Sequence, residues 1–196
     1  EKWLNWCFEH QIDERGEYIQ HSTNYQRLML QVALWVNALS GKGTSGAILS
    51  QRARQNLASA VRWLLDMADP NTGRVPNLGA NDGALVFPLA SLPFDDFRPT
   101  LQAASLAFRG QPAFGPGGWD ESALWFGADP ALGRPAEAKD AAPLTSLRQP
   151  GSRAYLRVTR FASRPSHADQ LHLDLWWRGL NLAVDAGTYL YNAAAP

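Results

Sequence analysis

RPSHADQLHLDLWWRGLNLAVDAGTYLYN, residues 164–192, switches side-chain type at every step through its middle. Leu171, Leu173, Leu175 and Trp177 alternate with His172, Asp174, Trp176 and Arg178. Successive side chains of a strand point to opposite faces, so this period of two predicts a half-buried strand. Arg178-Gly179 then turns the chain into Leu180–Val184, which predicts a hairpin. A shorter alternation lies upstream, with Ala154, Leu156 and Val158 set against Tyr155, Arg157 and Thr159. Before it, residues 127–152 are rich in Ala, Gly and Pro without a sustained period, and read as a linker.

Upstream of the linker the period becomes helical. Trp3, Leu4, Cys7, Phe8 and Gln11-Ile12 fit a helix over 2–12, closed by a turn at Asp13-Glu14-Arg15-Gly16. The clearest helix starts at Ser22 or Thr23 and carries Tyr25, Leu28, Val32, Trp35 and Leu39 at steps of three and four, with Gly41 and Gly43 to stop it. A third is predicted from about Ser45 to Ala68, with Leu57, Val61, Leu64 and Leu65 inward and Pro70 ending it. Pro93 opens a fourth, with Asp95 and Asp96 in its first turn and a stripe of Phe97, Leu101, Ala104 and Phe108 before Gly110. A short helix covers Asp120 to Phe126. Helices first and strands afterwards predict α+β, two layered units in series, rather than an interleaved parallel sheet.

The composition narrows the partners. Hydrophobic residues make up 45 % and charged residues 18 %, enough apolar material for a folded core. Lys plus Arg equals Asp plus Glu, so no uniform field draws the chain to nucleic acid or to a membrane surface, although a local basic cleft is compatible with that balance. No apolar run reaches the length of a membrane span. The single cysteine, Cys7, rules out an intrachain disulfide and leaves the redox compartment open. Eight Trp residues are unusual, and their flat faces stack on sugar rings as readily as they pack cores.

Polar groups concentrate in GEYIQHSTNYQR (16–27), PNLGANDGALVFPL (76–89) and the segment 164–192. Each has a plain structural reading. Tyr25 can simply begin the apolar stripe of its helix, and His21 can be a surface or capping residue. Asn77, Asn81 and Asp82 between Gly79 and Gly83 suit a turn, because Asn, Asp and Gly tolerate positive φ, and equally suit a loop aiming amides into a cleft. His167 and Asp169, two apart, share a face if the backbone is extended, and can hydrogen-bond across a hairpin with Asp185.

Taken together, the three segments resemble the heparinase II/III family of polysaccharide lyases, most specifically in His167-Ala168-Asp169, the alternating strand, the Gly turn and Val184-Asp185-x-Gly187-Thr188-Tyr189. The resemblance implies an incomplete (α/α) toroid followed by an antiparallel β-sandwich, both cut short here. Residues 1–126 would be the C-terminal part of the toroid, 127–152 the linker and 153–196 the first sandwich strands. It implies β-elimination on a uronic-acid polymer such as a glycosaminoglycan or an alginate-like chain. Such a reaction needs a base for the C5 proton, an acid for the departing O4 and polar groups on the uronate. Ser22-Thr23-Asn24-Tyr25 matches the family's Ser-x-x-Tyr, making Tyr25 the catalytic tyrosine. Gln20, His21, Arg27, Asn77 and Asn81 would contact substrate.

His167 matches both a catalytic position and, with Asp185, two ligands of a divalent metal, zinc or calcium, whose third ligand in the family is a later His. No organic cofactor is implied. The partner is an acidic polysaccharide, with no nucleic acid and no membrane insertion, and the compartment is periplasmic or otherwise extracytoplasmic. Where many relatives carry a first His of His-x-His-x-Asp, this chain has Pro165. The family's catalytic Asn, from an earlier helix, has no counterpart here. A non-catalytic glycan-binding or exopolysaccharide-handling protein on the same scaffold is therefore an alternative. A toroidal glycoside hydrolase pairing Asp82 with Glu17 or Asp13 is another. The chain opens on Glu1 within a helix and stops just after a strand, so it is expected to be a fragment. It should be inactive alone and seek the remainder of its own polypeptide or self-associate.

Overall fold

The computed structural model describes residues 1–40, 47–131, 145–159, 161, 167 and 169–187. The chain is α+β, with five helices among the described residues, α1 (Lys2–His10), α2 (Thr23–Ser40), α3 (Gln51–Met67), α4 (Arg98–Arg109) and α5 (Asp120–Trp125). One antiparallel sheet follows, β1 (Thr145–Gln149), β2 (Ser152–Leu156), β3 (Leu173–Trp177) and β4 (Leu180–Ala183), in the order β1-β2-β3-β4 and not closed on itself. The β3–β4 turn places both Arg178 and Gly179 at positive φ, 49° and 79°. That is the mirror-image turn whose twist matches flanking strands, which is why a two-residue connection suffices.

α2, α3 and α4 pack on one another, while α1 rests on α3 and α5 on α4. Leu30, Ala33 and Leu34 meet Leu57, Val61 and Leu64 of α3 and Leu101 and Ala104 of α4 in one core. Packing on two sides inverts the expected face of α2. The buried residues are Met29, Leu30, Ala33, Leu34 and Val36, whereas Trp35 and Leu39 of the predicted stripe are 50 % and 46 % exposed.

Two helix starts differ from expectation. α3 begins at Gln51 because Ser50 caps it, its hydroxyl oxygen accepting from Ala53 N–H at 3.0 Å. α4 begins at Arg98, not Pro93. Asp96 does not sit inside a first helical turn but takes the Arg98 N–H and guanidinium, and Pro99 fits the open first turn. The proposed linker is also shorter than 127–152, since Thr145–Gln149 is a strand paired to Ser152–Leu156. Residues 132–144, within that linker, lie outside the described residues.

The sheet is seated polar face inward. Tyr155, Arg157, Asp174 and Trp176 are buried, while Leu173, Leu180 and Leu182 are exposed. The surface beneath the sheet explains this. α3 ends there with orphan carbonyls and the negative end of its dipole. Tyr155 Oη donates to Asp66 O and Met67 O, Arg153 to Ala68 O and the Asp69 carboxylate, and Arg148 to Asp66 O. An apolar face could not satisfy those carbonyls. Tyr155→Ala should therefore cost about 3 kcal/mol or more in chemical denaturation, as for other buried aromatics. Leu173→Ala should cost about 1 kcal/mol or less. The opposite ranking would show that the sheet is turned over.

Candidate functional site

The start of α2 is built to hold a loop. The Ser22 hydroxyl accepts from Tyr25 N–H at 3.1 Å and donates to Ala80 O at 2.5 Å. Thr23 N–H donates to Leu78 O at 3.0 Å, its hydroxyl donates to Pro76 O at 2.9 Å, and that same oxygen accepts from Leu78 N–H at 3.3 Å. The loop 76–84 thus takes the Thr23 N–H, and the Ser22 hydroxyl takes that of Tyr25, so two first-turn donors are satisfied within the protein. Gly79 sits at φ +68°, and a Cβ there would run into the His21 carbonyl, so only glycine permits so close an approach.

On its other side the same loop meets the end of the sheet. Gly79 N–H donates to Asp169 Oδ2 at 3.1 Å, and the Asn77 amide donates to Asp185 O at 3.2 Å. Asn81 Nδ2 donates to Asn77 Oδ1 at 2.8 Å, so the two amides fix each other. Both line a cavity of about 320 Å³ with Thr23, Phe94, Trp176 and Asn181. Across Trp176 a second cleft, of about 300 Å³, is lined by Arg148, Arg153 and Arg178 against the lone carboxylate of Asp69. This is a local basic cleft on a chain of zero net charge.

Tyr25 is half-buried at its ring, and its hydroxyl lies at the surface, donating to Asp82 Oδ2 at 2.6 Å. The other oxygen of Asp82 accepts from Ala84 N–H at 3.1 Å. The bond from Tyr25, supported by Ala84 N–H, holds the Asp82 carboxyl below the usual carboxylate range.

Of the expected substrate contacts, Gln20 is exposed and Asn77 and Asn81 face the cavity, but Arg27 and His21 do not reach solvent. Arg27 is 1 % exposed, its guanidinium stacked 4.2 and 4.1 Å from the rings of Phe94 and Phe97 and donating to Phe94 O and Asn24 Oδ1. Burial lowers its pKa to about 10. It is a core residue because the loop 93–97 closes over it. His21 is also buried. Its Nδ1 faces Glu17 Oε1 at 3.1 Å, and its ring meets Phe161 edge-on. Arg157 completes this cluster, donating to His21 O at 2.8 Å and lying 3.7 Å from Glu17.

The carboxylates considered for hydrolysis are each engaged with other groups, Asp82 with Tyr25. Glu17 turns inward to His21 and Arg157, and Asp13 accepts from the backbone of Arg15 and Glu17.

His167 and Asp185 do come together, and Asp169 joins them. One ligand atom from each of the three lies within 4.8 Å of the others. The set is one imidazole and two carboxylates. Gly79 N–H holds one oxygen of Asp169, and Gly187 N–H holds one of Asp185 at 2.7 Å, orienting each carboxylate and leaving its second oxygen for an ion. Three protein ligands are the complement of an open zinc site, and the imidazole favours zinc over calcium. Asp169 was signalled by its place two residues from His167. Asp82 was signalled by its place with Asn77 and Asn81 between glycines, but its pairing with Tyr25 was not, nor was Arg157, since their partners are 57 and 136 residues away. Pro165 lies outside the described residues.

Compared with family models, with curated proteins and with solved structures, the chain finds no match. Among the described residues, no helix is long and apolar enough to cross a membrane. Titration calorimetry with zinc should find binding that weakens at least about tenfold in both His167→Ala and Asp169→Asn, as for lost ligands or their supports. Unchanged affinity in Asp169→Asn would remove that residue from the site.

Proposed function

We propose that the protein is a polysaccharide lyase that cleaves a uronic-acid-containing polymer by β-elimination, on an incomplete α/α toroid joined to a β-sandwich. The observation that carries the reading is the Tyr25 hydroxyl. It stands at the surface at a helix start, held by a carboxylate on a loop whose neighbouring amides, Asn77 and Asn81, face an open cavity. The exposed apolar face of the sheet supports the sandwich, because Leu173, Leu180 and Leu182 suit packing against a second layer. The arginine-lined cleft supports an acidic substrate, since guanidinium groups recognise carboxylates and sulfates in a bidentate manner.

In this reading Tyr25 moves the proton, Asn77 and Asn81 offer amides to the uronate or the sugar hydroxyls, and Gln20 lies exposed beside the helix start. His167, Asp169 and Asp185 hold a divalent ion that fixes the sheet side of the cleft and supplies positive charge toward an acidic sugar. The compartment is extracytoplasmic, as the resemblance implies. A glycan-binding protein without activity is the second reading, favoured by Pro165 at a position where a catalytic His is expected.

The test is a panel of uronic-acid polymers followed by ultraviolet absorbance, because elimination creates an unsaturated uronate and hydrolysis does not. Tyr25→Phe should lower turnover by about 10²-fold or more with little change in KM, the signature of a lost proton-transfer group. A fully active Phe variant would sink the assignment. Wild-type binding with no unsaturated product from any polymer would favour the second reading.

A further inference from the structure

We propose that Asp82 is a positioning residue behind Tyr25, the acceptor that takes the tyrosine's own proton while the phenol oxygen receives one from the substrate. The inference rests on the lyase reading and deepens it.

Asp82 could be no more than a turn residue, since Ala84 N–H to Oδ1 already makes the side-chain turn typical of Asp before Gly. That turn, however, uses one oxygen and leaves the other aimed at Tyr25, 57 residues earlier in the chain. The bond is 2.6 Å, within the range of a hydroxyl donating to an ionised carboxylate. It forms at the surface, where water would serve either group as well, so it is not required to satisfy buried polarity. Both ends are held by contacts other than their own bond. Ser22 fixes the backbone of Tyr25, and the loop is pinned at Pro76, Leu78, Gly79 and Ala80. A contact assembled on rigid supports at a site where stability does not call for it is what a catalytic pair requires.

The chemistry follows from the direction of the bond. An unassisted tyrosine is a poor base near neutral pH, because its hydroxyl ionises only near about 10. Here the hydroxyl hydrogen lies toward Asp82, so the acceptor side of the oxygen is turned away from the carboxylate. As the C5–H bond breaks, its proton bonds to the Tyr25 oxygen and the original phenol proton passes to Asp82 Oδ2. The C5–H electron pair becomes the C4–C5 double bond, and the C4–O4 pair departs on O4. Tyr25 then gives the newly acquired proton to O4 and recovers its own from Asp82, so both residues end as they began. No tyrosinate has to form beforehand.

Among the described residues, several charged groups of the surrounding elements have partners of their own. Arg27 is stacked between Phe94 and Phe97, His21 faces Glu17, Arg74 pairs with Asp95 at 2.6 Å, and Asp169 and Asp185 lie with His167 at the sheet end.

The experiment compares wild type, Tyr25→Phe, Asp82→Asn, Asp82→Glu and the double variant Tyr25→Phe/Asp82→Asn on the polymer that yields unsaturated uronate. Circular dichroism checks that each is folded. Asparagine keeps an acceptor oxygen but cannot take the proton. Asp82→Asn should lose about 10²-fold in kcat with KM nearly unchanged, and the double variant should be no worse than Tyr25→Phe alone. Asp82→Glu should recover part of the loss. In an ultraviolet tyrosinate titration without substrate, the Tyr25 contribution, isolated by subtracting Tyr25→Phe, should ionise at lower pH in Asp82→Asn because a neighbouring negative charge is gone.

If Asp82→Asn turns over like wild type while Tyr25→Phe is inactive, the role of Asp82 is overturned and the lyase reading stands. If Tyr25→Phe stays active, or no polymer yields unsaturated product, the lyase reading fails and the relay fails with it.

Discussion

Two hydroxyls, on Ser22 and Thr23, hold the loop 76–84 against the first turn of α2, and the rest of the site depends on that attachment. A helix N-terminus has unpaired N–H groups, and a polar loop has backbone groups of its own that must be satisfied when covered. Here each answers the other's need. Once pinned, the loop carries Asp82 to Tyr25, turns Asn77 and Asn81 toward the cavity, and offers Gly79 N–H to Asp169. Helix, loop and sheet end are therefore positioned by these polar contacts together with the packing of Val75 and Leu78 into the core.

The seam between helices and sheet buries Arg157 and Asp174 as well as Tyr155 and Trp176, which join the hydrophobic core. Arg157 is 2 % exposed, with Nε and Nη1 finding no partner among the described residues, and is compensated by His21 O and Glu17. Burying such a cluster costs desolvation that an apolar seam would avoid, so its retention points to specificity of placement more than to stability. Asp174, fully buried on the inner face, shows the same cost. Burial pushes its carboxyl up, against hydrogen bonds from Asn181 and Trp176 that favour ionisation. The exposed leucines on the far side of the sheet are the counterpart of this arrangement, since the polar residues of each strand face the helix ends.

Much of this was legible in the sequence. The order of helices before strands, the hairpin at Arg178-Gly179 and the start of α2 at Ser22-Thr23 all follow from local period and capping chemistry. What periodicity cannot say is which side of an element meets the protein. α2 is covered from two directions, and β1 and β2 reach the orphan carbonyls at the end of α3, so the apolar side of each element is not simply the buried side. Arg27 and His21 were placed near the cleft by sequence distance, yet their side chains leave the helix start in the inward direction. Asp82 and Arg157 act through partners far along the chain, and no local pattern marks such a pairing.

The account makes the loop 76–84 part of the folded frame, although it contains no regular secondary structure. Amide hydrogen exchange measures this directly. The N–H groups of Thr23, Leu78 and Gly79, each bonded across the loop, should exchange as slowly as those in the middle of α2, opening only with the whole fold. Exchange of Leu78 and Gly79 at the rate of an open surface loop, with α2 still protected, would contradict it. The groups around Tyr25 would then not be held in place before substrate arrives.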